Sequence, residues 1–195
     1  DEAEFRSRLE WLTAYEERFA GRFGELAETQ RGLRERAASY MEGRLRESID
    51  LSQEPEELRD AYGVIEEGRD PFGQGCLAAR RLVEAGSKFV EVSLTGWDTH
   101  EDNFTEHERL LRRLDAGFGS LIEDLKARRL LESTLVICAG ECGRTPEINA
   151  QNGRDHHSDC FSVVLAGGGI RGGRVVGTTD ERGAQVLKRP VTVPD

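Results

Sequence analysis

The fold is decided by the stretch Phe89-Val90-Glu91-Val92-Ser93-Leu94, which is followed by Gly96-Trp97-Asp98-Thr99-His100. The first six residues form a largely apolar run that predicts a buried strand. A long helix should come next, because Asp102 or Asn103 can cap it and the apolar residues beyond them recur at helical spacing. Residues 134–139 then predict another strand. The pattern is therefore strand, helix and strand in succession.

This succession is typical of a βαβ unit, in which the two strands run parallel and are joined by a right-handed crossover. We therefore expect an α/β fold, as part of a three-layer α/β/α sandwich with a mostly parallel sheet. Residues 1–60 are rich in Glu, Arg, Leu and Ala, and their apolar positions have the spacing of amphipathic helices. We expect a helical hairpin or insertion over 1–60 and an α/β domain over 61–195. The apolar positions that predict the first helix are Phe5, Leu9, Leu12, Phe19 and Phe23.

Composition excludes several functional classes. The 195 residues include 27 Lys and Arg against 37 Asp and Glu, which gives a net charge of −10. This acidic balance argues against a nucleic-acid partner. No apolar run approaches the roughly 20 residues of a transmembrane helix. The sequence opens without a signal peptide, and its two ends look like cuts through a longer protein, so we expect a fragment.

Polar side chains follow both predicted strands at the point where each strand ends. Asp98 and His100 come after the first strand and Glu141 after the second. Open α/β sheets bind ligands beyond the carboxyl ends of their strands, so these residues should share one crevice. A carboxylate oxygen with an imidazole nitrogen suits Zn, Mn or Fe better than Ca. The alternative is that Asp98 caps a turn and His100 is a surface histidine.

Two further segments could contribute to the same crevice. Glu141 and Arg144 lie in a loop with two glycines, where Glu141 could be a metal ligand, a general base or the ion-pair partner of Arg144. Arg144 is a candidate clamp for an anion. Asp155 and His156 add possible ligands, with His156 rather than His157 expected to point inward. The predicted site thus has Glu141 and Arg144 as catalytic residues. Its predicted metal ligands are Asp98, His100, Glu141, Asp155 and His156.

Several motifs in this order resemble the bacterial family catalogued as domain of unknown function 1501. The resemblance covers about Tyr62 to Asp195. The motifs that carry it are Ala78-Ala79-Arg80-Arg81-Leu82-Val83-Glu84-Ala85-Gly86, Gly96-Trp97-Asp98-Thr99-His100, Gly140-Glu141-Cys142-Gly143-Arg144-Thr145-Pro146, Gly153-Arg154-Asp155-His156 and Leu165-Ala166-Gly167-Gly168-Gly169-Ile170.

The resemblance implies the alkaline phosphatase and sulfatase superfamily, whose members bind one or two divalent metals at the edge of an α/β/α sheet. Asp98, His100 and His156 would then match metal ligands, and Glu141 would stand where relatives carry an Asp-His or Asp-Asn pair. The implied function is a metal-dependent hydrolase of sulfate or phosphate esters, of small molecules or polysaccharides. Its cofactor would be Zn, Mn or Ca, and the full-length protein would be exported or periplasmic.

The sequence also departs from that superfamily. The Asp-x-His spacing is shorter than the usual Asp-x-x-x-His, and Cys142 stands where a second metal ligand is expected. The superfamily nucleophile and first metal-binding Asp do not occur in residues 1–60. The shortened spacing and the Glu in place of a ligand pair favour an alternative function, a non-catalytic exported binding or scaffold protein with an eroded site. A third hypothesis is a one-metal enzyme of unrelated chemistry that uses Glu141 as its base.

Overall fold

The structure is a computed structural model that describes residues 4, 7–15, 24, 28–29, 31–34, 47–63 and 71–191. The chain divides into two compact units, Asp1–Asp50 and Leu51–Asp195. In the first unit, residues 7–15 and 31–34 are helical, and Arg34 donates a hydrogen bond to the Thr13 hydroxyl at 3.3 Å. Phe5, Phe19 and Phe23, which entered the helix prediction, lie outside the described residues.

The second unit begins with helices. A 3₁₀ turn and a short helix come before the long ones, and a π-helical turn joins the third and fourth helices. Among the residues that the structure describes, no helix is long and apolar enough to cross a bilayer, in agreement with the sequence. The helices are α1 (Glu56–Ala61), α2 (Pro71–Glu84), α3 (Asn103–Leu114) and α4 (Ser120–Ala127), and the π-helical turn is Asp115–Gly119.

Helix α2 starts earlier than the sequence suggests. Residues 71–75 have the composition of a loop, yet they form the first turn of α2. Pro71 is compatible with this position because the first N–H groups of a helix have no partner within it. A side chain at position 73 would overlap the Tyr62 carbonyl, so Gly73 allows close packing. Glycine at position 73 therefore reflects close packing of the helix against the backbone at Tyr62, and it does not mark a loop.

The core of the second unit lies between the helices. Tyr62, Phe72, Cys76 and Leu77 form its centre, and each has less than a tenth of its surface exposed. The partly buried residues around them come from the 3₁₀ turn Leu51–Gln53, from α1, α3 and α4, and from the segment before the Gly-Trp-Asp-Thr-His motif. These are Leu51, Leu58, Val92, Leu94, Leu114 and Leu121.

The prediction of a three-layer α/β/α sandwich with a mostly parallel sheet was wrong. The described strands form three separate two-stranded sheets, and all three are antiparallel. Antiparallel pairing needs no helical crossover between the paired strands. The strands are β1 (Leu135–Cys138), β2 (Gly143–Arg144), β3 (His156–His157), β4 (Val164–Gly167), β5 (Thr178–Thr179) and β6 (Val186–Lys188), paired as β1–β4, β2–β3 and β5–β6.

The predicted strand over 89–94 is not a strand in the structure, so the predicted parallel pairing with 134–139 does not form. The burial of its side chains nevertheless alternates, and Val92 and Leu94 pack against the core. An extended chain that rests one face on helices needs the same alternation as a half-buried strand. The apolar residues of 89–94 therefore indicated contact with the core, but they did not indicate whether the segment pairs with another strand.

A buried ion-pair network links α2 to α4 and to Glu54, which lies just before α1. Arg80, which has 1% of its side chain exposed, lies 2.8 Å from carboxylate oxygens of Glu54, Glu84 and Asp124. Arg128 lies 2.7 Å from the second oxygen of Asp124, and the Tyr62 hydroxyl is 3.2 Å from that carboxylate. Burial alone raises the pKa of Glu54, but hydrogen bonds from Arg80 and Arg81 outweigh it and leave that pKa lowered.

Candidate metal centre

Two segments far apart in the chain run antiparallel beside the candidate site. Arg154 N–H donates to the Thr99 carbonyl at 3.1 Å, and Asn103 N–H donates to the Asn152 carbonyl at 2.9 Å. An isolated bridge between Glu101 and Asn152 lies between these bonds. This contact holds Asp98 and His100 beside Asp155 and His156. The sequence had predicted that the edge of a parallel sheet would bring these residues together.

Gly153 and Asn149 make this approach possible. A methyl group at position 153 would overlap the His100 carbonyl, so the two backbones touch at a glycine. The Asn149 side chain donates to the His100 carbonyl at 2.9 Å and accepts from Gly153 N–H at 2.8 Å. Asn149 thus holds both segments together. Asn149 is not among the residues predicted for the site, because an isolated Asn in a polar loop has no pattern that marks it.

The β2–β3 pair brings a third loop to the same place. Gly143 pairs with His157 and Arg144 with His156, so the residues before β2 lie beside the start of β3. A side chain at position 143 would overlap the Cys160 carbonyl, so this position also requires glycine. The pair places Glu141 and Cys142 next to the His156 ring.

Asp98, His100 and His156 form the centre of the site. Asp98 Oδ1 lies 3.0 Å from His100 Nε2 and 2.8 Å from His156 Nε2. The two imidazole rings stack at 5.0 Å with an interplanar angle of 11°. The three ligand atoms lie within 4.8 Å of one another, which is a spacing that one cation can bridge. Three potential ligands from two segments therefore converge on one point.

Asp155 contacts the other nitrogen of His100. Its Oδ1 lies 2.7 Å from His100 Nδ1 and also accepts a hydrogen bond from Asn149 at 3.3 Å. The hydrogen bond with His100 has the larger effect and that from Asn149 the smaller one, and both lower the pKa of Asp155. A carboxylate that accepts from one imidazole nitrogen leaves the lone pair of the other nitrogen free for a metal. The sequence predicted Asp155 as a metal ligand. In the structure it lies at Nδ1 of the His100 ring, on the side away from Asp98, and outside the three-ligand group.

Arg144 is held by two carboxylates. Its Nη1 lies 2.8 Å from Asp98 Oδ1, and its Nη2 lies 3.2 Å from Glu141 Oε1. Glu141 is therefore the ion-pair partner of Arg144, one of the three roles that the sequence left open. Hydrogen bonds from His156 and then from Arg144 lower the pKa of Asp98 to about 2, so Asp98 is a carboxylate at neutral pH.

A second group of potential ligands adjoins the first. Cys142 Sγ lies 3.6 Å from His156 Nδ1 and 3.8 Å from Glu141 Oε1. From the sequence, Cys142 was identified only as a departure from the pattern of the alkaline phosphatase and sulfatase superfamily. His157 turns away from both groups, because its Nε2–H donates to the Ala184 carbonyl at 2.6 Å.

The charges of the site favour a cation. Asp98, Glu141 and Asp155 bring three carboxylates, and Arg144 is the one permanent cation within ion-pair distance of them in the described contacts, so the carboxylates outnumber the permanent cations by two. Asp98 exposes 65% of its side chain, whereas Arg144 exposes 16%. A divalent cation would offset the excess, and carboxylate with imidazole is a donor set that proteins use for such ions.

Comparison with known proteins identifies the family. Neither the curated proteins nor the solved structures gave a match to this chain. The family described as "Protein of unknown function (DUF1501)" matches residues 1–195, which is the entire sequence. The residues that form the candidate centre all lie within that match. The chain therefore belongs to the DUF1501 family.

Proposed function

We propose that Asp98, His100 and His156 bind a divalent cation and that the resulting centre hydrolyses sulfate or phosphate esters. The observation that carries the proposal is the convergence of these three ligand atoms from two segments that Asn149 and Gly153 hold together. Two imidazole nitrogens and one carboxylate oxygen form a three-ligand set with room for a water or substrate oxygen, as in catalytic zinc sites. Zn or Mn fits this set better than Ca.

The contacts within the group are at hydrogen-bond distance. Ligands of a tetrahedral zinc ion are about 3.4 Å apart when Zn–N and Zn–O are near 2.1 Å. Asp98 Oδ1 lies 2.8 Å and 3.0 Å from the two imidazole nitrogens. These separations would open by about half an ångström as a metal replaced the shared protons. Because Asp98 and His156 are more than half exposed, the side chains have space for that movement.

We base the reaction class on the alkaline phosphatase and sulfatase superfamily, which the resemblance of the motifs to the DUF1501 family implies. A bound cation would supply Lewis-acid stabilisation of the anionic ester oxygens. Arg144 contributes a guanidinium beside Asp98, where it can bind a sulfate or phosphate oxygen if it exchanges one of its carboxylate partners. Asp155 orients His100 by accepting its Nδ1–H.

Replacing both Asp98 and His100 by Ala should abolish metal binding at this centre. The variant removes two of three ligands, and one imidazole cannot hold the ion alone. Elemental analysis after equilibrium dialysis against Zn²⁺ or Mn²⁺ measures the result. The control is Asp159→Ala with His107→Ala, which removes the same two residue types outside the group. Equal metal content in the double variant and the control would refute the centre.

Replacing Asp155 by Asn should weaken metal binding by about 10-fold to 100-fold, the range found for residues that orient a histidine ligand. Asn can still accept the His100 Nδ1–H bond at 2.7 Å, but it lacks the charge that makes the ring a stronger ligand. Competition with a chromophoric chelator measures the dissociation constant, with Asp159→Asn as the control. Complete loss of the ion would instead show that Asp155 is itself a ligand.

A second candidate function is a metal-dependent binding protein without catalysis. The observation that favours it is exposure, since Asp98, Asp155 and His156 each expose more than half of their side chains. Strong electrostatic catalysis depends on excluding water from the reacting groups. A screen of aryl sulfates and aryl phosphates with added Zn²⁺ or Mn²⁺ separates the two functions. Metal binding without turnover would favour the binding protein.

A further inference from the structure

We propose that Cys142, Glu141 and His156 Nδ1 form a second metal position that contains a thiolate. The inference rests on the proposed function in one respect, because the two positions share the His156 ring. Asp98 lies at Nε2 of that ring and Cys142 at Nδ1, so the two groups use opposite nitrogens. The three ligand atoms of the second group also lie within 4.8 Å of one another.

The two distances from the sulfur in the second group are close to those around a tetrahedral metal. With Zn–S near 2.3 Å and Zn–N or Zn–O near 2.1 Å, the sulfur on a tetrahedron lies about 3.6 Å from each nitrogen or oxygen ligand. Cys142 Sγ lies 3.6 Å from His156 Nδ1 and 3.8 Å from Glu141 Oε1. Both distances exceed those in the Asp98 group, because sulfur is larger than nitrogen or oxygen and its hydrogen bonds are longer.

The fold holds this position in place. Cys142 immediately precedes β2, and His156 opens β3, whose residues pair directly with those of β2. Gly143 allows the close approach of β2 to the Cys160 carbonyl. Glu141 is oriented by Arg144, whose Nη2 lies 3.2 Å from Glu141 Oε1. A carboxylate has lone pairs for both the guanidinium and a metal.

The thiolate determines which ions fit. Sulfur ligands select Zn²⁺ and similar ions such as Co²⁺ over Mn²⁺ and Ca²⁺. Binding releases the thiol proton to solvent, because only the thiolate is a ligand. When both positions are filled, the His156 ring also releases its remaining proton and bridges the two ions as an imidazolate. The thiolate of Cys142 therefore restricts the ion at the second position to Zn²⁺ or a chemically similar ion.

The test measures the stoichiometry of Zn²⁺ and the absorption of the Co²⁺-loaded full-length protein. The unmodified protein should hold two Zn²⁺ ions, and its Co²⁺ form should show a thiolate-to-cobalt charge-transfer band in the near ultraviolet. Cys142→Ser should lose one Zn²⁺ and the whole band, whereas the control Cys160→Ser should keep both. Glu141→Gln should weaken Zn²⁺ binding at this position but retain the band. Circular dichroism establishes that each variant is folded.

The outcomes distinguish the second position from the first. If Cys142→Ser keeps both the band and the full Zn²⁺ content, the second position is refuted. If the protein binds a single Zn²⁺ ion, and His100→Ala loses that ion while Cys142→Ser keeps it, the second position is refuted and the proposed centre remains intact. A Co²⁺ band that disappears in Cys142→Ser, with full metal content in His100→Ala, supports the second position and refutes the first.

Discussion

Replacing Arg80 by Met is expected to lower the free energy of unfolding by about 3 to 5 kcal/mol, the usual cost of breaking a buried ion pair. Arg80 is almost completely buried and lies 2.8 Å from the carboxylates of Glu54, Glu84 and Asp124. Glu54 and Asp124 are themselves more than nine-tenths buried. Met fills a similar volume, so the main loss is electrostatic: two buried carboxylates lose the guanidinium between them.

Urea denaturation followed by far-ultraviolet circular dichroism measures this loss. The matched control is Arg112→Met on α3, because Arg112 also pairs with a carboxylate, Glu108 at 2.6 Å, but exposes 78% of its side chain. Exposed pairs of this kind contribute less than about 0.5 kcal/mol. Adding Glu54→Gln to Arg80→Met should recover part of the stability, because it removes a buried carboxylate that has lost Arg80 and keeps only Arg81 as a close partner. Equal losses from Arg80→Met and Arg112→Met would show that the buried network does not stabilise the fold.

The sequence predicted helices better than sheets. The apolar spacing identified a long helix after Asn103, which the structure has as α3, a π-helical turn and α4. The apolar run over 89–94 predicted a buried strand, whereas in the structure only every second residue of it is partly buried and the segment pairs with no described strand. Which strands pair depends on contacts between distant segments, and the register of β1 with β4 leaves no local signal. The predicted parallel sheet failed for this reason.

The same limit applies to the site. Asp98, His100 and His156 could be selected from the sequence because polar residues cluster after predicted strands, where open α/β sheets bind ligands. The structure brings these three together, but by the antiparallel contact of two loops instead of a sheet edge. The roles of Asp155 and Cys142 depend on which ring nitrogen each one approaches. Ring orientation follows from tertiary packing, so no spacing in the sequence predicts it.

Replacing Gly153 by Ala should abolish binding at the Asp98 centre although it changes no ligand. A methyl group at position 153 would overlap the His100 carbonyl and approach the Glu101 nitrogen to 2.6 Å. Both contacts are with backbone, which cannot turn aside as a flexible side chain can. The segments must separate, and the hydrogen bonds from Asn149 to the His100 carbonyl and from Arg154 N–H to the Thr99 carbonyl would lengthen. Overpacking of this kind costs about 1 to 3 kcal/mol.

The decisive comparison is with Gly172→Ala, because a methyl group at position 172 would meet no atom within 4 Å. Gly172→Ala should keep the metal content and unfolding midpoint of the unmodified protein. Gly153→Ala should lose the ion at Asp98, His100 and His156, while a folded circular dichroism spectrum shows that the loss is local. If the Cys142 position exists, Gly153→Ala should retain its Co²⁺ band, since the β2–β3 pair does not depend on the contact at residue 153. Undiminished metal binding at the Asp98 centre in Gly153→Ala would mean that the approach of the two loops does not build the site.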